Sequence, residues 1–282
     1  MKIEMNRRDF LGGFAAATGL AAFSGCKCLF CGCGAPRVAA QLFSIYKIFW
    51  QKPEWCLDGL KKAGFDGVEF AGYAKHTAKE IRKLLADAGL AGMGTHVNGF
   101  VDLKGDGLKK TLDFCAEAGF ESVTTPHALC KTAEEYRQFG RDMSLAAEAA
   151  VPYGIKVGIH TTYDHFKVKF DGVTAWDTLF AGTSPLLQQQ IDTSNTFHTG
   201  TDVVALLKKY PGRHFSVHLK ENVPSRTATL GEPPKDGGPL VPWKDVMAQL
   251  ATEPVAWYVI EAEAVPDSLQ PLSDSLRFVR AF

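Results

Sequence analysis

Several features that would assign a chain of 282 residues to a familiar class are missing here. The formal net charge is zero and no stripe of Lys or Arg follows the chain, so nucleic acid is not the expected partner. No Gly-x-Gly-x-x-Gly follows the first predicted strand, which disfavours a doubly wound dinucleotide-binding sheet. No low-complexity linker divides the chain, and we therefore expect one folded domain.

Cysteine is too unevenly distributed for a fold built on disulfides. Four of the seven cysteines lie close together near the N-terminus, at Cys26, Cys28, Cys31 and Cys33. No Cys or His pair follows them at zinc-finger spacing, so we interpret the cluster as tether rather than as a structural metal site. The remaining cysteines fall in or beside predicted helices, where a thiol usually packs as a small core residue: Cys56, Cys115 and Cys130.

The first 37 residues have the pattern of an export signal. Arg7-Arg8-Asp9-Phe10-Leu11 precedes an apolar stretch over residues 12–23 that is too short to span a bilayer. The paired arginines resemble the twin-arginine signal of bacteria, although an amphipathic N-terminal helix is the alternative. Phe23-Ser24-Gly25-Cys26 also resembles a lipoprotein box, in which Cys26 would carry the lipid. The predicted location is therefore periplasmic or lipid-anchored to a bacterial membrane, with Cys26 as the sole membrane attachment.

A short pattern recurs along the rest of the chain at the spacing of one strand-plus-helix unit. Each copy has a glycine after a helical segment and before an apolar run: Gly64, Gly89, Gly119 and, more loosely, Gly154. The pattern predicts a helix end, a left-handed glycine, a short turn and a strand.

Eight apolar runs that alternate with helical segments are predicted to be strands. They are Val38–Phe43, Gly67–Phe70, Gly92–Val97, Ser122–Pro126, Lys156–His160, Leu187–Asp192, His214–Leu219 and Trp257–Glu261. Eight strands alternating with helices over about 245 residues predict an α/β fold of the (β/α)8 TIM-barrel type. The predicted organisation is a signal peptide and Cys-rich tether over 1–37, followed by a single-domain barrel over 38–282.

Seven of these strands end in, or are soon followed by, an ionisable side chain. Such a group is costly to bury without a partner at the end of a strand covered on both faces. In a barrel the C-terminal strand ends share one rim, where catalytic groups sit, and clustered carboxylates and imidazoles suit a divalent metal ion. The side chains at these ends, with a Gln from the first strand, are Gln41, Glu69, His96, His127, His160, Asp192, His218 and Glu261.

From Val38 onwards the chain resembles the xylose-isomerase-like barrels, often called sugar phosphate isomerases/epimerases. The resemblance rests on the order and spacing of short motifs, among them Gly67-Val68-Glu69-Phe70, Ile191-Asp192-Thr193 and His218-Leu219-Lys220-Glu221. It implies one divalent ion at the ends of strands five to eight, which by position are His160, Asp192, His218 and Glu261. Independently, two imidazoles with two carboxylates suit Mn²⁺, Zn²⁺, Co²⁺ or Fe²⁺ better than Mg²⁺ or Ca²⁺.

The resemblance also implies an isomerase or epimerase that acts beside the carbonyl of a sugar, polyol or keto-sugar through a metal-stabilised enediolate. Glu261 would then be ligand and base, His160 a catalytic ligand, and Lys220 the group that stabilises developing negative charge. The expected partner is a small carbohydrate, and a homo-oligomer is compatible with the sequence. The candidates for binding its hydroxyls are Gln41, Glu69, His96 and His127, with an apolar wall from Phe43, Tyr46 and Trp50.

One strand end departs from the family's pattern. The epimerases resemble one another in a Glu at the end of strand five, which works with the Glu of strand eight, whereas this strand ends in His160. A related branch carries a Glu where this chain has His165. A two-carboxylate 3-epimerase is therefore disfavoured, and a one-base isomerase, a lyase or a dehydratase stays open.

Two classes outside sugar isomerisation also stay open. An exported sugar-binding lipoprotein that has lost turnover would explain the missing carboxylate of strand five. A metal-dependent phosphodiesterase of the endonuclease-IV type shares the barrel but needs more His and Glu ligands.

Overall fold

The computed structural model describes residues 36–73, 75–128, 130–222, 229–233, 238–262 and 267–282. Within them, parallel strands close into an eight-stranded barrel in chain order, and the last strand pairs with the first. The barrel strands are β1 Arg37–Gln41, β2 Gly67–Phe70, β3 Ala91–His96, β4 Phe120–Thr125, β5 Lys156–His160, β6 Gln188–Asp192, β7 Ser216–Leu219 and β8 Trp257–Ile260. The predicted (β/α)8 barrel is confirmed.

The predicted strand limits differ from the observed ones by at most two residues. The largest structural consequence is at β1, which ends at Gln41 because Leu42–Ile45 turn into a 3-10 helix. Of the predicted signal and tether, residues 1–35 lie outside the described part of the chain, so that assignment and the domain boundary stay predictions.

Helices surround the barrel and follow the strands. Their bounds are Tyr46–Phe49, Pro53–Ala63, Ala78–Ala88, Gly105–Ala118, Ala133–Ala149, Asp164–Lys167, Ala175–Phe180, Thr193–Phe197, Val203–Lys209, Trp243–Leu250 and Gln270–Val279. Two short strands between β5 and β6, Lys169–Phe170 and Val173–Thr174, pair antiparallel. Among the described residues, no helix combines the length and apolar character that a membrane crossing requires.

The recurring glycines end helical segments as the pattern predicts. Gly64, Gly89 and Gly119 follow three of the outer helices with φ of 104°, 66° and 81°. Gly154 plays the same part after the 3-10 helix Val151–Tyr153, with φ of 70°. Only glycine adopts this left-handed backbone without a steric penalty at Cβ, so these positions turn the chain from helix into strand.

The barrel interior is apolar toward the N-terminal ends of the strands. Ala39, Met93, Trp257 and Val259 form a buried cluster there. Gly67 makes room for the indole of Trp257, since a Cβ at this position would lie 2.7 Å from the ring. The fully buried indole therefore closes the lower half of the barrel.

Toward the C-terminal rim the interior becomes polar. Side chains alternate between the two faces of a strand, so the next inward positions lie two residues further along. They hold Gln41, Glu69, His218 and Glu261, where barrels usually have branched aliphatic side chains. The outward positions of the same strands stay apolar and pack under the helices. The alternation thus separates a stabilising outer core from an ionisable inner rim.

Candidate metal centre and active site

Four ionisable side chains from consecutive strands meet at the C-terminal rim. His160 ends β5 and Asp192 ends β6. His218 lies within β7, and Glu261 directly follows β8. One potential ligand atom of each lies within 4.8 Å of the others, and all four residues are buried. Strand register brings them together, because Asp192 pairs with His218 and His218 pairs with Val259, two residues before Glu261.

This cluster contains buried polar atoms without hydrogen-bond partners among the described residues. They are both ring nitrogens of His160 and Oδ2 of Asp192, although His160 Nε2 approaches that oxygen to 3.6 Å. Leaving such a group unsatisfied costs about 1–3 kcal/mol. Two imidazoles and two carboxylates around one point form a donor set that a divalent ion of the Mn²⁺, Zn²⁺, Co²⁺ or Fe²⁺ type would satisfy. The residues present therefore fit the metal ion that the sequence predicts.

The electrostatic environment favours the metal-binding protonation state of three of the four side chains. Burial lowers the pKa of His160 to about 4, so its imidazole is neutral at neutral pH. Burial acts to raise the pKa of Asp192 and of Glu261, but Lys220 and the neighbouring histidines together outweigh it, so both pKa values lie below their usual range. Neutral imidazole and ionised carboxylate are the forms that bind metal ions.

His218 lies between two carboxylates. Its Nδ1 is 2.8 Å from Glu261 Oε2, and its Nε2 is 2.6 Å from Glu69 Oε2. Burial opposes its protonation, but the charge of Glu69 and the contact with Glu261 raise the pKa of His218 to about 10. Without a cation the ring is therefore an imidazolium, and a metal ion binding at this residue would displace one proton.

Lys220 brings a positive charge to the edge of the cluster. Its Nζ lies 3.5 Å from Glu261 Oε1 and 3.9 Å from Asp192 Oδ2. Its backbone is held by Thr193, whose hydroxyl donates to the Lys220 carbonyl at 2.7 Å and accepts from its amide at 3.0 Å. The lysine is buried, so its charge acts on nearby oxygens with little screening by water.

A cavity of about 510 Å³ opens directly above these residues. Six of the predicted site residues contribute to its wall: Gln41, His96, His127, His160, Lys220 and Glu261. His127 is solvent-exposed, but partial desolvation lowers its pKa below the usual value, which favours the neutral ring. Neutral imidazole and amide edges both donate and accept hydrogen bonds, as binding of hydroxyl groups requires.

Glu69 occupies a different place from the other predicted site residues. It has no exposed surface and is absent from the residues that line the cavity. Its carboxylate lies below the cavity, where it accepts hydrogen bonds from interior side chains. The predicted direct contact between Glu69 and a substrate is not what this geometry supports.

Of the three aromatic residues predicted to form an apolar wall, only one lines the cavity. Phe43 lines the cavity. Tyr46 stacks on Phe43 with ring centroids 5.3 Å apart, and the ring of Trp50 lies 5.9 Å from that of Tyr46. The three rings form a continuous aromatic row, of which only Phe43 lines the cavity.

His165 does not replace the missing carboxylate of strand five. It is fully buried on the short helix Asp164–Lys167, where its ring lies 5.1 Å from that of Trp176 and 6.3 Å from that of Tyr136. Its Nδ1 accepts a hydrogen bond from the Thr162 amide at 3.0 Å. The side chain thus belongs to the helix layer and lines no part of the cavity.

A larger cleft of about 1020 Å³ lies elsewhere, between the helices Val203–Lys209 and Trp243–Leu250. Its charged lining residues are Asp202, Lys208 and Asp245. None of the clustered strand-end side chains reaches this cleft. Volume alone would select it, but the buried ionisable groups mark the smaller cavity as the candidate site.

Polar residues that support the cluster were not recognised in the sequence. The hydroxyl of Thr161 accepts from the Asp192 amide at 2.8 Å, and Asn195 donates to the Thr161 carbonyl at 2.9 Å. Asp192 Oδ1 accepts from the Asn195 amide at 2.7 Å, which caps the helix Thr193–Phe197 and leaves Oδ2 facing the cluster. Gln190 donates a hydrogen bond to Glu69 Oε1 at 2.8 Å. Its inward position could have been predicted from the sequence, because it lies two residues before Asp192 and therefore on the same face of β6.

Comparison with known proteins identifies the family of the barrel. Residues 57–282 match the family described as xylose isomerase-like TIM barrel, which covers most of the described barrel. The chain belongs to this family. No curated protein of known sequence matches it closely enough to extend the comparison.

Several solved structures have the same fold as this chain. A sugar phosphate isomerase/epimerase from Parabacteroides distasonis has a TM-score of 0.75 at 18% identity, covering 89% of this chain and 98% of its own. L-ribulose 3-epimerase has a TM-score of 0.61 at 16% identity, with 86% of both chains covered. The 3-keto-D-glucoside 4-epimerase of E. coli has a TM-score of 0.61 at 15% identity, covering 88% of this chain and 100% of its own. At these identities the likeness shows the fold alone.

Proposed function

We propose that the protein is a divalent-metal-dependent enzyme of the sugar isomerase/epimerase type. The observation that carries this proposal is the cluster of His160, Asp192, His218 and Glu261, buried and partly unpaired, at the base of the cavity of about 510 Å³. A bound cation would supply a positive charge that polarises the carbonyl and hydroxyl oxygens of the substrate.

Glu261 is our candidate for the group that moves the proton. It is ionised, it lines the cavity, and His218 holds one of its oxygens. The other oxygen faces Lys220 across 3.5 Å. In the proposed isomerisation this carboxylate takes a proton from the carbon beside a carbonyl and returns it to the former carbonyl carbon, while the proton of the neighbouring hydroxyl passes to the former carbonyl oxygen.

Lys220 has a complementary role in the proposal. Its ammonium group lies at the cavity beside the base, where negative charge would develop on the substrate oxygen. A buried cation that is already in place stabilises such charge without reorganisation. His160 would hold the metal ion and present its ring to the cavity.

The cavity wall favours a small carbohydrate as substrate. His96, His127 and Gln41 present polar edges for hydroxyl groups, while Phe43 offers an apolar face. Two structural relatives are named for an L-ribulose and for a 3-keto-D-glucoside, and a ketose or keto-sugar is the class we propose here.

A lyase or dehydratase acting on a keto-sugar is the second candidate. The position at the end of β5 that would carry a second proton-transfer carboxylate holds His160. Elimination beside a carbonyl needs one base to remove the proton, and Glu261 can supply it. The difference between the two reactions lies in the product, not in the first proton transfer.

Metal analysis and isotope exchange test the proposal together. We expect about one divalent ion per purified chain and loss of activity after chelation, restored by Mn²⁺, Zn²⁺, Co²⁺ or Fe²⁺. In D₂O, a screen of ketoses, inososes and 3-keto-glycosides should show deuterium at the carbon beside the carbonyl. Exchange that survives complete removal of metal would contradict the metal-dependent mechanism.

The same screen separates an enzyme from a binding protein. A sugar-binding lipoprotein without turnover would show no exchange with any keto-sugar. If it bound a sugar with micromolar affinity, about −8 kcal/mol of binding free energy, that result would replace the enzymatic proposal.

A further inference from the structure

A layer of hydrogen-bonded polar side chains lies inside the barrel, directly below the metal cluster. At its centre is Glu69, which is fully buried and has hydrogen-bonding partners at both carboxylate oxygens. An ionised carboxylate in a barrel interior costs several kcal/mol of desolvation unless several donors surround it. Because burying this carboxylate costs so much desolvation free energy, we looked for a role of Glu69 beyond packing.

Every close contact of the Glu69 carboxylate is with a group that can donate. Oε2 lies 2.6 Å from Gln41 Nε2 and 2.6 Å from His218 Nε2. Oε1 accepts from Gln190 Nε2 at 2.8 Å. The oxygens of Glu69 can only accept, so the proton in the contact with His218 belongs to Nε2 of the imidazole.

The amides that surround Glu69 are themselves held in place. Gln190 Nε2 also donates to Ser216 Oγ at 2.9 Å, and Gln190 Oε1 lies 2.8 Å from His96 Nε2. Gln41 Oε1 accepts from the Phe43 amide at 3.1 Å. These contacts involve side chains from β1, β3, β6 and β7, so the orientation of the carboxylate is determined by four parts of the barrel.

The contact with Glu69 decides which nitrogen of His218 faces the metal cluster. Nε2 points down to Glu69, and Nδ1 points up to Glu261 at 2.8 Å. A neutral histidine has one protonated nitrogen and one lone pair, and only the lone pair can bind a metal ion. With its proton on Nε2, the ring presents the lone pair of Nδ1 to the cluster.

We infer that Glu69 is a positioning residue for the metal centre: it holds His218 as the Nε2–H tautomer, so that Nδ1 can bind the ion. This inference rests on the proposed metal-dependent function and adds a residue that does not touch the substrate. Carboxylate partners of metal-binding histidines typically change metal affinity by 10- to 100-fold when they are removed.

The alternative role for Glu69 is that of a direct ligand in a second metal site. Glu69, His96 and His218 also lie close enough to share an ion of their own. In that arrangement Glu69 would be a ligand, the wild-type chain would bind two ions, and Glu69→Gln would bind one. Stoichiometry therefore distinguishes a positioning residue from a ligand.

The first test is a calorimetric titration of the metal-free full chain with Zn²⁺. We expect wild type to bind about one ion, and Glu69→Gln to bind the same number with an affinity about 10- to 100-fold lower. An unchanged affinity would overturn the inference and leave the proposed function standing. If wild type binds no ion, the proposed function fails as well.

Glu221 provides a matched control for this substitution. It is a second buried carboxylate, and its oxygens accept from the amides of Gly231 and Val241 and from the indole of Trp243. These partners belong to the loop after β7 and the following helix, not to the metal cluster. Glu221→Gln removes the same charge and should keep the wild-type zinc affinity. An equal loss in both variants would overturn the inference.

A measurement on wild type avoids dependence on the folding of a variant. In the Zn²⁺-loaded full chain labelled with ¹⁵N-histidine, long-range ¹H–¹⁵N correlation identifies the nitrogen that carries the proton. The His218 resonances are assigned by their absence from His218→Gln. We expect a protonated Nε2 and a metal-bound Nδ1, and a metal-bound Nε2 would overturn the inference.

Discussion

Glu261 combines two roles at the scale of a single residue, and substitutions can separate them. If it is both ligand and base, Glu261→Gln should lower turnover by about 100- to 10,000-fold while metal affinity falls much less. Asp192→Asn is the matched variant, because Asp192 belongs to the same cluster but does not line the cavity. There, metal and activity should be lost in parallel and restored by excess metal. Steady-state kinetics and metal titration of both variants make the comparison.

His165 should make the folded barrel sensitive to acid. Burial lowers its pKa to about 3, whereas an unfolded histidine titrates near 6.5. Between these values the unfolded chain binds a proton that the folded chain does not. The contribution of His165 to the free energy of unfolding is therefore fully present above about pH 6.5, and it falls by about 1.4 kcal/mol per pH unit below that value.

His165→Phe removes this titration while it keeps an aromatic ring beside Trp176. We expect its free energy of unfolding to decline less steeply than that of wild type between about pH 6.5 and 4.5, by about 1 kcal/mol per unit. Urea unfolding over this range measures both slopes. Data above about pH 7 give the pH-independent effect of the substitution, and equal slopes below it would contradict a buried neutral histidine.

At the scale of elements, close strand contacts place the rim side chains. A Cβ on Gly94 of β3 would lie 2.6 Å from the carbonyl oxygen of Ser122 on β4. Gly94→Ala should therefore push these strands apart and destabilise the fold by about 1–3 kcal/mol, measured by urea unfolding. Gly158→Ala on β5 is the control, because its nearest contact is the Thr124 hydroxyl at 3.2 Å. A loss as large at Gly158 would show that strand spacing is not the cause.

At the scale of the whole molecule, the N-terminal segment is proposed to direct export. Changing Arg7 and Arg8 together to Lys should leave the precursor in the cytoplasm, because the twin-arginine pattern depends on both guanidinium groups. Cell fractionation followed by mass determination of the mature N-terminus measures the result, with cleavage or lipidation expected at about Cys26. Undiminished export of the double variant would exclude the twin-arginine assignment.

Much of the barrel and its rim follows from local patterns in the sequence. Glycines such as Gly64 end helices because only they adopt the left-handed backbone without strain. Alternation along a strand places Glu69 and His218 on the inner face, since their neighbours Val68 and Val217 are apolar and must pack under helices. Parallel strands in a closed barrel then bring their C-terminal ends to one rim, which is why a group of ionisable side chains there was predictable. The selection of His160, Asp192, His218 and Glu261 from that group came from the resemblance to the family.

Tertiary structure alone decided the depth and direction of the side chains on that rim. Glu69 and Glu261 have the same pattern in sequence, yet the stagger of the barrel places Glu69 below the cavity and Glu261 in its wall. His165 follows β5 at a distance where no strand period applies, and packing against Trp176 turned it into the helix layer. Strand period determines the face on which a side chain lies, whereas its height and its partners depend on neighbouring strands that are distant in sequence.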